Sequence, residues 1–173
     1  MSMNKAFFLD RDGIINELII NSKEIRSPKN LNELTLKRGI INISNFLKSK
    51  GYYLIMITNQ PDVSRKKLSM NQVIKINNYI KKKIKLDDTY VCYCSNNSCI
   101  NRKPNNGMIK KAIEKWQINI SKSYMIGDRE KDIQAGKKSK IKTIFLKNNY
   151  YKCKKINPNF SINNLKEIKS IVR

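Results

Sequence analysis

Residues 8–16 read FLDRDGIIN: an apolar run breaks into two acids, Asp10 and Asp12, one residue apart, with Gly13 directly behind. A surface turn is the ordinary use of such residues, and taken alone the stretch demands nothing more. Its surroundings demand more. AFFL (residues 6–9) is a continuous apolar run of strand length, the form of a strand buried on both faces. Asp10 and Asp12 then stand at the strand's carboxyl end, on one side of an extended chain, with Arg11 pointing away.

Outward from this strand the chain alternates. YYLIMI (52–57), TYVCY (89–93), SYMIGD (123–128) and KTIFL (142–146) read as further buried strands. Between them, Ile40, Ile43, Phe46 and Leu47 recur at helical spacing and Gly51 stops the run. Ser69 is placed to cap a helix carrying Val73, Ile76, Ile80 and Ile84. Met108, Ile109, Ala112, Ile113 and Trp116 mark another helix, with Trp116 read as core, and EKDIQAG (130–136) a short one. Leu165, Ile168 and Val172 suggest a terminal helix from Ser161, and Asp87 and Asp88 a polar loop.

The pattern predicts an α/β fold, a Rossmann-like parallel sheet with helices on both faces. No repeat or Pro- or Ser-rich linker interrupts it, so residues 1–173 are expected to form a single domain. Ligands in such sheets gather at the carboxyl ends of the strands, near the switch in strand order. Asp10, Asp12, Thr58, Asn59 and Asp128 all follow strands, and Arg102 and Lys103 lie in the connection after the third. Convergence on one rim gives them a common chemistry. Carboxylates of Asp10, Asp12 and Asp128 suit Mg²⁺, a hard cation that takes oxygen ligands. Asp10 could attack a phosphoryl group whose charge the metal and Lys103 neutralise. Asp12 could protonate the leaving alcohol and later activate water, and Thr58 could hold a phosphate oxygen.

Composition removes competing chemistries. The 173 residues contain no histidine, which excludes a serine–histidine triad, a histidine phosphatase and a His-ligated metal centre. No glycine pair precedes a lysine at P-loop spacing, and no cysteine stands six residues before an arginine. The net charge of +23 invites a nucleic-acid partner. However, Lys, Asn and Ile are abundant together, as A/T-rich codons would produce, and the basic residues are dispersed. Nucleic acid is therefore not the expected partner, and a small molecule is. No apolar stretch approaches the roughly 20 residues that span a bilayer, and MSMNKAFFLD is no signal peptide. Four cysteines, three of them within residues 92–99, do not form a secreted disulfide pattern. A cytoplasmic monomer, off the membrane, is expected.

FLDRDGIIN, TNQPDVSR (58–65), NRKPNNGM (101–108) and SYMIGDREKDIQAG (123–136), in that order, resemble the four motifs of the haloacid dehalogenase superfamily of phosphotransferases. The R-K-P-x-x-G-M form of the third is similar to the capless histidinol-phosphatase and heptose-bisphosphatase branch. The resemblance implies a Mg²⁺-dependent phosphatase working through an aspartyl-phosphate, with Asp10 as nucleophile and Asp12 as acid/base. It implies Thr58, Asn59, Arg102 and Lys103 as substrate contacts, Asp128 as a Mg²⁺ ligand, Asp132 as its support, and Arg129 as a basic substrate contact. It also implies a heptose 1,7-bisphosphate as substrate, cut at the 7-position. The alternatives are a histidinol-phosphate phosphatase, a polynucleotide 3′-phosphatase, and a catalytically silent basic nucleic-acid-binding protein on this fold. In the second motif Arg65 is retained while Lys66 replaces a glycine, which bears on the substrate-side loop. The branch carries a structural Zn²⁺ loop before R-K-P. Here CYCSNNSCINRKP (92–104) offers Cys92, Cys94 and Cys99, with Asn101 where a last cysteine would stand. A three-thiolate Zn²⁺ site completed by water and a metal-free loop both fit that string. Cys153 reads as an ordinary thiol.

Overall fold

The computed structural model describes residues 4–22, 24–151 and 156–172; Cys153 lies outside them. The first half of the chain runs β1 (Lys5–Leu9), β2 (Ile19–Ile20), β3 (Ile25–Arg26), α1 (Ile40–Ser49), β4 (Tyr52–Asn59), α2 (Met70–Ile84) and β5 (Asp88–Cys92). The second half runs α3 (Gly107–Trp116), β6 (Tyr124–Gly127), α4 (Glu130–Lys138), β7 (Lys142–Leu146), β8 (Phe160–Ile162) and α5 (Ile168–Ile171). Six strands form one sheet in the order β5-β4-β1-β6-β7-β8, and every pairing in it is parallel. Five of the six strands are the apolar runs of the sequence, in the parallel sheet that they predicted.

Alternation along each strand divides the core between two faces. Phe7, Leu9, Leu54, Met56 and Ile126 pack with Ile43 and Leu47 of α1, Ile76 and Ile80 of α2, and Ile168 of α5. Ala6, Phe8, Ile55, Ile57 and Met125 pack with Ile109 and Ala112 of α3 and Ala135 of α4. Both faces are buried, so the strands carry no polar alternation. The Ser69 hydroxyl accepts from Gln72 N and caps α2 as the sequence indicated.

Three local expectations change. Residues 160–162 pair with β7 as a sixth, edge strand, and only Leu165 to Ile171 turns helical, first as a 3₁₀ turn. A two-strand antiparallel hairpin, β2–β3, rises after Asp12. Asp88 begins β5 rather than a loop and accepts from Lys115 and the Trp116 indole. Segments of two or three residues are too short to show a period, so only pairing with distant partners reveals them.

The chain builds β4 and β5 on one side of β1, then crosses to β6 on the other. The order therefore reverses at β1. Asp10 leaves β1 and Asp128 leaves its neighbour β6, which puts both at the crevice where such sheets bind ligands.

Candidate active site

Asp10, Asp12, Asn59, Arg65, Arg102, Lys103 and Arg129 line one cavity of about 410 Å³ at this crevice. The β2–β3 hairpin supplies Glu24, Ile25 and Arg26 to its wall. Eight basic and four acidic side chains line it, so the cavity favours an anion. Thr58 is buried beneath this wall rather than on it, and its hydroxyl oxygen accepts from Gln60 Nε2 at 2.9 Å.

Lys103 is the hub. Its Nζ lies 2.6 Å from Asp10 Oδ1, 2.7 Å from Asp132 Oδ1 and 2.9 Å from the Ile57 carbonyl. Burial opposes its charge, but Asp10 and Asp132 outweigh burial and raise its pKa. Asn59 positions this lysine. Its carboxamide donates to the Lys103 carbonyl at 3.0 Å and accepts from the Lys103 amide at 3.1 Å. Arg102 is similarly tied, donating to the Cys94 carbonyl and to Asn97 Oδ1.

The fold gathers Asp10, Asp128 and Asp132, whose carboxylate oxygens lie within 4.8 Å of one another. Asp12, expected among the metal ligands, is not in this group. Its Oδ1 accepts from Arg11 Nε and Asn16 Nδ2, and its Oδ2 from Arg11 Nη2, Ser27 and Gln60. Arg11 does not point away. It is fully buried, folds back along Asp12, and anchors its other nitrogen on Asn77 Oδ1 of α2. Burial works to raise the Asp12 pKa, but Arg11 and the hydrogen bonds of Asn16, Gln60 and Ser27 outweigh it and hold the carboxyl low.

The other two acids behave oppositely. Burial and the Asp132 charge push Asp10 upward against the pull of Lys103. Burial, with the charges of Asp10 and Asp132, pushes Asp128 up to about 7. The three carboxylates share the charge of Lys103, with Arg129 and Lys131 acting from farther off, an arrangement that favours a cation among them. Among the described residues Asp128 Oδ1 has no hydrogen-bond partner, and it is buried. Its Oδ2 accepts from the Tyr150 hydroxyl at 3.0 Å. An all-oxygen set of this kind fits Mg²⁺. Gly13 makes the approach possible: its φ is +94°, and a Cβ there would sit 2.0 Å from Asp128 Oδ2.

D-glycero-beta-D-manno-heptose-1,7-bisphosphate 7-phosphatase of Helicobacter pylori is 34% identical over 155 residues, covering 84% of this chain and 85% of its own. The chain belongs to the haloacid dehalogenase superfamily. A HAD-hydrolase-like family model matches residues 100–168 of this superfamily member. D-glycero-alpha-D-manno-heptose-1,7-bisphosphate 7-phosphatase of Campylobacter jejuni is 32% identical, covering 83% of each chain. The crystal structure of D,D-heptose 1,7-bisphosphate phosphatase from B. bronchiseptica, complexed with magnesium and phosphate, superposes with a TM-score of 0.80. It covers 96% of this chain and 97% of its own at 17% identity, a likeness of fold. This haloacid dehalogenase-superfamily protein is a phosphatase.

Sequence reading missed Gln60, Asn16, Ser27 and Tyr150. Gln60 sits within TNQPDVSR and was within reach as a polar residue behind a buried strand. Tyr150 gave no signal, because its partner stands 22 residues away in the chain.

Proposed function

We propose that this phosphatase hydrolyses the 7-phosphate of D-glycero-D-manno-heptose 1,7-bisphosphate, as a cytoplasmic monomer with residues 1–173 acting as one catalytic domain. The observation that carries this reading is Asp10, salt-bridged to Lys103 at the floor of an anion-favouring cavity. The printed activities of the relatives support the choice of sugar. Lys103 takes up Oδ1 of Asp10, and Oδ2 attacks phosphorus. The bond from phosphorus to the sugar oxygen breaks, and the leaving oxygen takes a proton from Asp12. Water then gives a proton to Asp12 and attacks phosphorus, which releases Asp10. The free enzyme holds Asp12 as an anion, matched to the base half of this role. Its acid half requires it to take up a proton as the phosphorylated substrate brings negative charge beside it. Mg²⁺ held by Asp10, Asp128 and Asp132 would neutralise phosphoryl charge. Arg65, Arg102 and Arg129 at the rim suit the second phosphate, with Asn59 on the cavity wall and Thr58 acting from beneath.

The two heptose 1,7-bisphosphate anomers, histidinol phosphate and a 3′-phosphorylated oligonucleotide should be compared at two salt concentrations. One anomer is expected to exceed the other two substrates in kcat/KM by about tenfold or more, since remote charge contacts position the reacting phosphate. A preference for the oligonucleotide at moderate salt would overturn the assignment, because backbone binding weakens steeply as salt rises.

We further propose that Cys92, Cys94 and Cys99 hold a structural Zn²⁺. Cys99 Sγ lies 3.8 Å from Cys92 Sγ, close to the separation that two thiolates at about 2.3 Å keep on one tetrahedral ion, while Cys94 Sγ, 2.7 Å from Cys99 Sγ, would have to move apart from it to join them. Asn101 brings a carboxamide oxygen that packs against Gly107. Elemental analysis should find one zinc per chain, lost in the Cys92→Ser, Cys94→Ser, Cys99→Ser triple variant. A zinc-free wild type ends this proposal.

A further inference from the structure

Past β7 the chain turns back over the end of β6, and residues 148–151 engage Asp128 and Arg129 at three points. Asn148 Nδ2 donates to the Asp128 carbonyl at 2.8 Å. Its Oδ1 accepts from the Tyr151 amide at 2.9 Å, which closes the turn. The Tyr150 hydroxyl donates to Asp128 Oδ2 at 3.0 Å. The Tyr151 ring meets the Tyr150 ring edge-on at 5.0 Å and carries the Arg129 guanidinium 3.8 Å from its centroid.

The hydroxyl of Tyr150 is the part of this turn that packing does not explain. Its ring is accounted for by Tyr151, and a phenylalanine would stack as well. The hydroxyl instead acts on a torsion that packing leaves soft. The terminal torsion of an aspartate is broad and nearly two-fold, so a carboxylate without partners presents its oxygens over a range of angles. Asp128 Oδ2 is confined between the Gly13 α-carbon and the Tyr150 hydroxyl. That contact fixes the carboxylate plane, with Oδ1 left without a hydrogen-bond partner among the described residues and one carboxylate oxygen of Asp128 grouped with those of Asp10 and Asp132.

We infer that Tyr150 is a positioning residue that acts through Asp128 to preset the cation-binding geometry of the carboxylate cluster. The inference rests on the metal reading above and adds the residue that aims one ligand. It also explains why a loop outside the four motifs reaches the site. Partners that orient a metal ligand change metal affinity about 10- to 100-fold when removed.

Mn²⁺ serves as the probe, because free Mn²⁺ is counted by electron paramagnetic resonance without substrate or turnover. Tyr150→Phe should raise the dissociation constant for Mn²⁺ by about tenfold or more. Its Tm in EDTA should stay within about 4 °C of wild type, the size of one lost hydrogen bond in a chain of this length. Turnover at saturating Mg²⁺ should fall far less than turnover at limiting Mg²⁺. Asn149→Ala, in the same turn but with an exposed side chain, should keep wild-type Mn²⁺ affinity. Wild-type affinity in Tyr150→Phe would overturn the inference and leave the metal reading standing. Equal weakening in Asn149→Ala would also overturn it, by showing that loop disturbance and not the hydroxyl is responsible. A wild type that takes up no Mn²⁺ would overturn both.

Discussion

Asp10→Asn is expected to lower turnover by roughly 10⁴-fold or more, the scale of removing a nucleophile, while the protein stays folded. Asparagine keeps the shape and removes the attacking anion. Stability should move the other way. In the metal-free protein, burial and the Asp132 charge raise Asp10, and burial with the charges of Asp10 and Asp132 raises Asp128 to about 7. An acid whose pKa is raised in the native state binds more protons folded than unfolded, so stability falls as pH climbs through that window. For Asp128 the window runs from its ordinary 3.8 to about 7. The Tm of wild type in EDTA should therefore decline across this range more steeply than that of Asp10→Asn. At pH 7 the variant should melt at or above wild type. Asp10→Asn with near wild-type phosphatase rates would rule out the covalent mechanism.

Lys103→Met is expected to be the most destabilising single change in the site. The lysine is 2% exposed and is paired with both Asp10 and Asp132. Methionine fills much of its volume but removes the ammonium paired with Asp10 and Asp132, leaving the three buried carboxylates only the more distant charges of Arg129 and Lys131. Removing one partner of a buried pair costs about 3–5 kcal/mol, which in a chain of this length is a fall in Tm of roughly 6–20 °C. Lower pH should restore part of the loss, since protonating the carboxylates removes the repulsion, and Mg²⁺ should restore part at neutral pH. A variant melting within about 3 °C of wild type at pH 7.5 in EDTA would show that Lys103 does not hold this cluster together.

Much of the site could be read from the chain because it sits at strand ends. Asp10, Thr58 and Asp128 each follow an apolar run long enough to mark a buried strand, and a parallel sheet brings strand ends to one rim. The helices were legible for a similar local reason: Ser69 precedes a four-point apolar stripe, and Gly51, at φ +76°, lies just past the end of α1. Each of these signals is contained within about 15 residues of chain.

The division of labour between the carboxylates was not legible. Spacing puts Asp10 and Asp12 on one side of an extended strand, which suggests a shared cation. In the fold the segment leaves the strand at Leu9, Arg11 folds back, and five donors claim the Asp12 oxygens, the farthest of them from Gln60. Asp132, on the first turn of α4, takes the third place beside Asp10 and Asp128. Asn59, read as a substrate contact, lines the cavity and also clasps the backbone of Lys103, 44 residues away.

By itself, the sequence determined five strands of the sheet, its covering helices, the rim that gathers the motif residues and the phosphatase lineage, because strand runs, helical stripes and motifs are local patterns. Only the tertiary structure decided which acids stand together, which residue holds the Asp128 carboxylate and where Arg11 and Asn59 point. Hydrogen-bond donors and counterions in a buried site come from whichever segments the fold brings within about 3 Å, and neighbours in the chain carry no record of them.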